Sequence, residues 1–246
     1  MFLLSIGACG DGAAPANGTP SQVRVSFERG ELVPYEREAL LVVCDDRSGS
    51  MSRNSELTLA HYKALAGTLQ GEQGGTMAVR VVGDPNKLDF VRLDLVPHYR
   101  NLEMTKDDPL LSEKGLLRRK NERIKFLNDS IDVANQKSMT AFLDHIDKEV
   151  VNYRPHANDK TDVLGAMEHM EKLMNESTYQ GRRITALVAS DGVDDMNGPG
   201  WNLELKLPEG AQLALVNWAG NGTITGVEPL QFESVQGFVD YYTQQR

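Results

Sequence analysis

Leu40-Leu41-Val42-Val43-Cys44-Asp45-Asp46-Arg47-Ser48-Gly49-Ser50-Met51 joins an unbroken apolar run to a string of small polar residues. With the preceding Ala39, the run reads as a strand covered on both faces in a parallel sheet. In an extended segment alternate side chains share a side, so Asp46, Ser48 and Ser50 converge while Arg47 and Gly49 face away. One carboxylate and two hydroxyls then meet at the carboxyl end of a strand. Hard oxygen donors suit Mg2+, and with no His or Cys among them they suit zinc or copper poorly. Alone, Asp-x-Ser-x-Ser is a weak signal, because Ser-Gly-Ser is also an ordinary turn composition.

Two further elements follow in order. Thr161, in Asp159-Lys160-Thr161-Asp162, stands directly before the helical pattern Val163 to Met174. Asp191, in Ser190-Asp191-Gly192, ends the apolar run Ile184 to Ala189. Two strands therefore each end in an aspartate. The set of DxSGS, Thr and Ser-Asp-Gly resembles the von Willebrand factor type A domain and its metal-ion-dependent adhesion site, from about Val23 onward. Asp46, Ser48 and Ser50 match the first motif of that family, Thr161 the second and Asp191 the third.

The resemblance implies a Rossmann-like α/β fold, doubly wound, with a mostly parallel central sheet and helices on both faces. It also implies a bound Mg2+, with Mn2+ or Ca2+ as alternatives. Ser48, Ser50 and Thr161 would supply hydroxyl ligands, and the two aspartates would bind directly or through ordered water. The position left open would take an Asp or Glu carboxylate from a protein partner, in an adhesion-like module that is no enzyme. Arg47 departs from the family's small or aliphatic residue. Its alternation sets it opposite the ligands, where it pairs with Asp45 or another acid; beside the cation it would weaken binding by repulsion. Asp159-Lys160 stands where small glycines are usual, so Thr161 has the least typical context of the five.

A chain of 246 residues has room for one sizeable α/β domain or two small ones, and one large core is the simpler reading. Its 40% hydrophobic and 25% charged content is that of an ordinary globular protein. With 35 acidic against 26 basic side chains the net charge is -9, which argues against non-specific nucleic-acid binding. No apolar stretch reaches the length of a transmembrane helix. Cys44, inside the apolar run, reads as a buried thiol. Ile6-Gly7-Ala8-Cys9 resembles a bacterial lipobox, followed by a small polar tether from Gly10 to Pro20. Only eight residues precede Cys9 and none is basic, so the expectation is a truncated signal, with residues 1–21 as lipobox and tether and residues 22–246 as the domain. That places the protein in the cell envelope, lipid-anchored through Cys9. The alternative is a cytoplasmic protein with a frayed N-terminal tail.

Val23, Val25 and Phe27 alternate with polar residues as in a half-buried strand. A helix is expected over Glu56 to Leu69, stopped by glycines. Met77 to Gly83 and Phe90 to Val96 read as antiparallel strands joined by the Asp84-Pro85-Asn86-Lys87 turn. A long helical insertion, about 108–154, starts near Asp108-Pro109, either as one helix or as two broken near Asn135 to Ser138. Its apolar stripe runs through Leu117, Ile124, Leu127, Ile131, Ala134, Phe142, Ile146 and Val150. This insertion is why 111 positions separate Ser50 from Thr161; it either packs on the sheet or forms a partner-binding or oligomerising surface. A helix over Asp162 to Asn175, strands over Ile184 to Ser190 and Leu213 to Asn217, and a helix over Val235 to Tyr242 complete the pattern. Ligands of such sheets bind beyond the strands' carboxyl ends where the winding reverses, so the strands of Asp46 and Asp191 are expected to be neighbours.

Two other functions compete. A metal-assisted hydrolase would use the same cation to activate water, yet no general base accompanies it outside the Asp194 to Asn197 loop and the insertion. A structural subunit would assemble through the long helix with a vestigial metal site. Asp194 and Asp195 stand either as extra carboxylates at the rim or as solvated loop residues. His61, His98, His145, His156 and His169 form no close pair for zinc, and GxSxG is absent.

Overall fold

The computed structural model describes residues 26–36, 39–51, 56–71, 73–82, 89–103, 111–154, 160–220 and 222–244, with the backbone only for 111–113. Cys9 and its tether, Val23 and Val25, the Asp84-Pro85-Asn86-Lys87 turn, Asp108-Pro109, His156 and Asp159 lie outside these residues. Ser26 to Glu28, the described part of the expected first strand, carries no strand pairing.

In chain order the elements are β1 (Ala39–Asp46), α1 (Leu59–Gly67), β2 (Gly75–Val82), β3 (Val91–Leu95), α2 (Leu111–Ile146), α3 (Val163–Met174), β4 (Arg183–Ala189), β5 (Asn202–Glu204), β6 (Gln212–Val216), β7 (Thr223–Thr225), β8 (Leu230–Phe232) and α4 (Val235–Gln244). Six strands form the main sheet in the order β3-β2-β1-β4-β6-β8, and only β3 runs antiparallel. From β1 the chain turns to β2 on one side and later to β4 on the other. The winding therefore reverses between β1 and β4, the expected neighbours. The fold is α/β and Rossmann-like, as the motif order implies.

The period of two along each strand divides the core. Leu41 and Val43 of β1, Met77 and Val79 of β2 and Leu187 of β4 face Tyr62 of α1, Phe142 of α2 and Phe238 of α4. Leu40, Val42, Cys44, Ile184 and Val188 face Val163, Met167 and Met170 of α3. Helices thus cover both faces, and every residue of β1 is buried. Apolar side chains on both sides of a central strand are what an uninterrupted run such as Leu40 to Cys44 is for. Helix α1 begins three residues later than expected, because Thr58 caps it: Thr58 Oγ1 accepts from the His61 amide, and His61 Nδ1 accepts from the Thr58 amide.

Helix α2 is one continuous helix of 36 residues with no break near Asn135, closed by a π-helical turn over Asp147–Val151. Its expected apolar stripe holds only in part. Ile124, Phe142, Ile146 and Val150 are buried, but Leu117, Leu127 and Ile131 are half-buried and Ala134 is exposed. Over its first two thirds the helix is instead fastened by asparagines to the extended segment 96–103. Asn135 accepts from the Val96 amide and donates to the Val96 carbonyl, both at 2.9 Å. Asn128 grips Tyr99 in the same way at 2.9 and 3.0 Å, and Asn121 grips Leu102 at 2.8 and 3.0 Å. Seven helical residues advance about 10.5 Å and three extended residues about 10 Å, so the two spacings stay in step. An extended segment outside the sheet must still satisfy its amides and carbonyls, and these side chains do so.

Candidate metal site at the strand ends

The register that pairs Asp45 with Ala189 sets Asp46 beside Ser190, one step further along each strand. Ser190 Oγ donates to Asp46 Oδ2 at 2.6 Å, and the Ser48 amide donates to Asp46 Oδ1 at 2.8 Å. Ser190 Oγ in turn accepts from the Gly192 amide at 2.9 Å. The two motif loops are thereby tied through one serine. The Ser48 and Ser50 hydroxyls lie 3.0 Å apart, with Ser48 buried and Ser50 exposed; the strand ends at Asp46, and a turn in which the Met51 amide donates to the Ser48 carbonyl at 3.2 Å, rather than extended alternation, brings them together. Asp191, half-buried, accepts from the Val193 amide at 3.0 Å.

The loop after Asp191 is braced from two sides. Ala219 donates its amide to the Asp191 carbonyl at 3.1 Å. This close approach depends on glycine at both positions: a Cβ on Gly220 would overlap the Gly192 carbonyl, and Gly192 has φ +75°, a conformation other residues rarely adopt. On the other side lies Thr161, buried at 2% exposure. Its carbonyl accepts from the amides of Asp195 and Met196 at 2.9 and 3.2 Å, and its own amide donates to Asp195 Oδ2 at 3.2 Å. All three motif segments therefore meet at one end of the sheet.

Asp194 is neither a rim ligand nor a solvated residue. It is buried, and its carboxylate accepts from the amides of Leu164, Met196 and Asn197 and from the Asn197 side chain, at 2.7 to 3.2 Å. The Leu164 amide belongs to the first turn of α3, where unpaired donors and the helix dipole favour a negative charge. Asp194 thus fastens the Asp191 loop to the start of α3. Asp162 caps the same helix by accepting from the Gly165 amide at 2.8 Å. Ser190 and Asp194 are the contributors that the motif match does not single out. Ser190 stands inside the Ser-Asp-Gly motif itself, and Asp194 three positions beyond Asp191.

Arg47 occupies the opposite side of the strand end. Its guanidinium, 3% exposed at the residue level, donates to Asp45 Oδ2, to Glu56 Oε2 and to the Leu57 carbonyl. Tyr62 donates its hydroxyl to the same Asp45 oxygen at 2.6 Å. Adjacent aspartates thus serve opposite faces: Asp45 neutralises Arg47, and Asp46 faces the hydroxyl cluster. Burial pushes the Asp45 carboxyl up to about 6, against the opposing pull of Arg47 and Tyr62. Asp46 is also raised, first by burial and further by the charge of Asp191, while Ser190 and Ser48 hold it down. Burial works against the charge on Arg47, but Asp45 leads its neighbours in holding the group above its ordinary value. Burial, then Asp45, keeps the Tyr62 hydroxyl protonated well beyond its ordinary range.

The donors expected at this edge would be two carboxylates, Asp46 and Asp191, with the hydroxyls of Ser48, Ser50 and Thr161; the bonds described join Asp46, Ser48 and Ser50 directly, and tie Thr161 to the Asp191 loop through its backbone. An ionised carboxylate has lone pairs beyond the two hydrogen bonds that Asp46 accepts. Neutral oxygens beside one or two carboxylates fit a hard divalent cation. Among the described residues no group of three or more His, Cys, Asp and Glu side chains is placed to hold a metal. Among the same residues no helix is long and apolar enough to cross a membrane. No protein-family model matches the chain, and no curated protein matches it.

Proposed function

We propose that the chain is a metal-dependent protein-binding module, resembling the von Willebrand factor type A domain, whose adhesion site is built from Asp46, Ser48, Ser50, Thr161 and Asp191. The observation that carries this reading is the hydrogen bond from Ser190 to Asp46 across β1 and β4, which sets the first and third motifs side by side at the point where the winding reverses. Asp46 and Asp191 supply the negative charge of the site, and Ser48, Ser50 and Thr161 supply neutral oxygens. Mg2+, Mn2+ or Ca2+ held there would keep charge for an incoming Asp or Glu carboxylate of a protein partner. Ser190 orients Asp46, and Asp194 holds the Asp191 loop in place from outside the ligand set. Arg47 is turned onto Asp45, Glu56 and the Leu57 carbonyl, away from the ligand side.

Calorimetric titration of the full chain with MgCl2 and MnCl2 tests the reading. Wild type is expected to bind one equivalent, and Asp46→Ala with Asp191→Ala to lose at least about 100-fold in affinity, about 2.7 kcal/mol. An isotherm unchanged by both substitutions would sink it. Phosphoester turnover that EDTA abolishes would shift the assignment to metal-assisted hydrolysis.

A further inference from the structure

The outward face of α2 carries an apolar pair, and the helix as a whole a polarity of charge, that the metal site does not use. Phe126 is 58% exposed and Val133 72% exposed, and they stand seven residues apart on one face. Residues two apart on a helix point about 200° from each other, so Phe126 lies opposite the side on which Asn128 grips Tyr99. The inner side of the helix is thus taken, and the outer side presents two large apolar groups, Val133 and Phe126, the latter with the Arg123 guanidinium over its ring at 4.9 Å. From Lys114 to Lys125 the helix carries six basic side chains against one acid, Glu122. From Asp129 to Glu149 it and its final turn carry five acids against two bases, Lys137 and Lys148. One half is therefore basic and the other acidic, on a single rod of about 54 Å.

We propose that this face joins two copies of the chain, with their α2 helices antiparallel about a two-fold axis near Asp129 and Ser130. A two-fold contact must be complementary to itself. Antiparallel pairing meets that demand twice. It lays Phe126 of each copy on Val133 of the other, because the axis falls midway between them. It also sets Glu122 of each helix opposite Lys137 of its mate, since both share the face of Phe126 and Val133, with Arg119 one turn from the position facing Asp144. A parallel pairing would set like halves together and cost what the antiparallel one gains. The helix macrodipoles favour the antiparallel sense as well.

Sedimentation velocity on the full chain across the micromolar range tests the proposal. Wild type is expected to dimerise, and Phe126→Ser with Val133→Ser to raise the dimer dissociation constant at least tenfold. Both side chains are exposed, so the substituted chain should melt where wild type does. In a Cys9→Ser background, Ser130→Cys is expected to form a disulfide dimer on mild oxidation, since Ser130 faces its own mate across the axis. A wild type that stays monomeric, or a dimer indifferent to the double substitution, would overturn the proposal. A dimer in which Ser130→Cys gives no cross-link would overturn the antiparallel arrangement. None of these readings depends on metal.

Discussion

The rim around Asp46 and the seam between α2 and segment 96–103 are both built from polar side chains, and they spend those groups differently. In the seam each asparagine gives one donor and one acceptor to a single backbone residue, and Asn121, Asn128 and Asn135 repeat this three times. Its polar groups are consumed within the chain. At the rim, Asp46 accepts from Ser190 and Ser48 and keeps lone pairs, while the exposed Ser50 hydroxyl meets only that of Ser48 in the bonds described. Saturated polarity holds a fold together; polarity with capacity left over can hold a ligand. Arg47 and Asp194 belong with the seam in this respect although both sit beside the site, since each is buried and fully engaged.

The contrast can be broken by removing one member of each kind. Asn135 is 8% exposed, and Asn135→Ala removes the side-chain partner of both the Val96 amide and the Val96 carbonyl. Urea unfolding should show a loss of about 2–3 kcal/mol with metal affinity unchanged. If metal affinity fell in step, the seam and the rim would be one cooperative unit rather than two. Ser190→Ala acts in the reverse sense, because it removes the hydroxyl that orients Asp46. Metal affinity should fall about tenfold, near 1.4 kcal/mol, as when other groups that orient metal ligands are removed. Unaltered calorimetry for this variant would place Asp46 outside the ligand set.

The smallest effect separates the two aspartates by pH. Asp45 carries a carboxyl raised to about 6 in the fold, against about 3.9 when unfolded. A raised carboxyl binds its proton more tightly in the native state, so its ionised form costs stability above that range. Its contribution therefore improves as pH falls through 6 toward 4, opposite to a carboxylate held low by an ion pair. The melting difference between wild type and Asp45→Asn should move in favour of wild type between pH 7 and pH 5, by on the order of 1 kcal/mol. A difference constant over that interval would mean that Arg47 and Tyr62 fully offset the burial of Asp45.

Much of this was legible in residue order. Continuous apolar runs at Ala39 to Cys44 and Ile184 to Ala189 are strands because side chains pack on both faces there, and each run hands its last position to an aspartate. The antiparallel β3 follows from the turn composition Asp84-Pro85-Asn86-Lys87 that joins it to β2. The three-residue strands β5, β7 and β8 are too short for any period to show. The asparagine spacing of seven is visible, yet a polar residue every second turn is also what a solvated helix looks like. Its meaning depends on an extended segment lying alongside.

Asp194 makes the same point at the site. As one of three acids in a loop it reads as solvated, and only the arrival of α3 beside that loop turns it into a buried staple. The sequence by itself determined the long strands β1 and β4 and the aspartate that follows each apolar run, because a continuous apolar run marks a strand buried on both faces. Tertiary structure alone decided which polar groups are spent: Arg47 on Asp45, Ser190 on Asp46, Asp194 on α3 and the asparagines of α2 on Val96, Tyr99 and Leu102. Hydrogen bonds have no sequence period. They are settled by which backbone amides come within about 3 Å once the layers have packed.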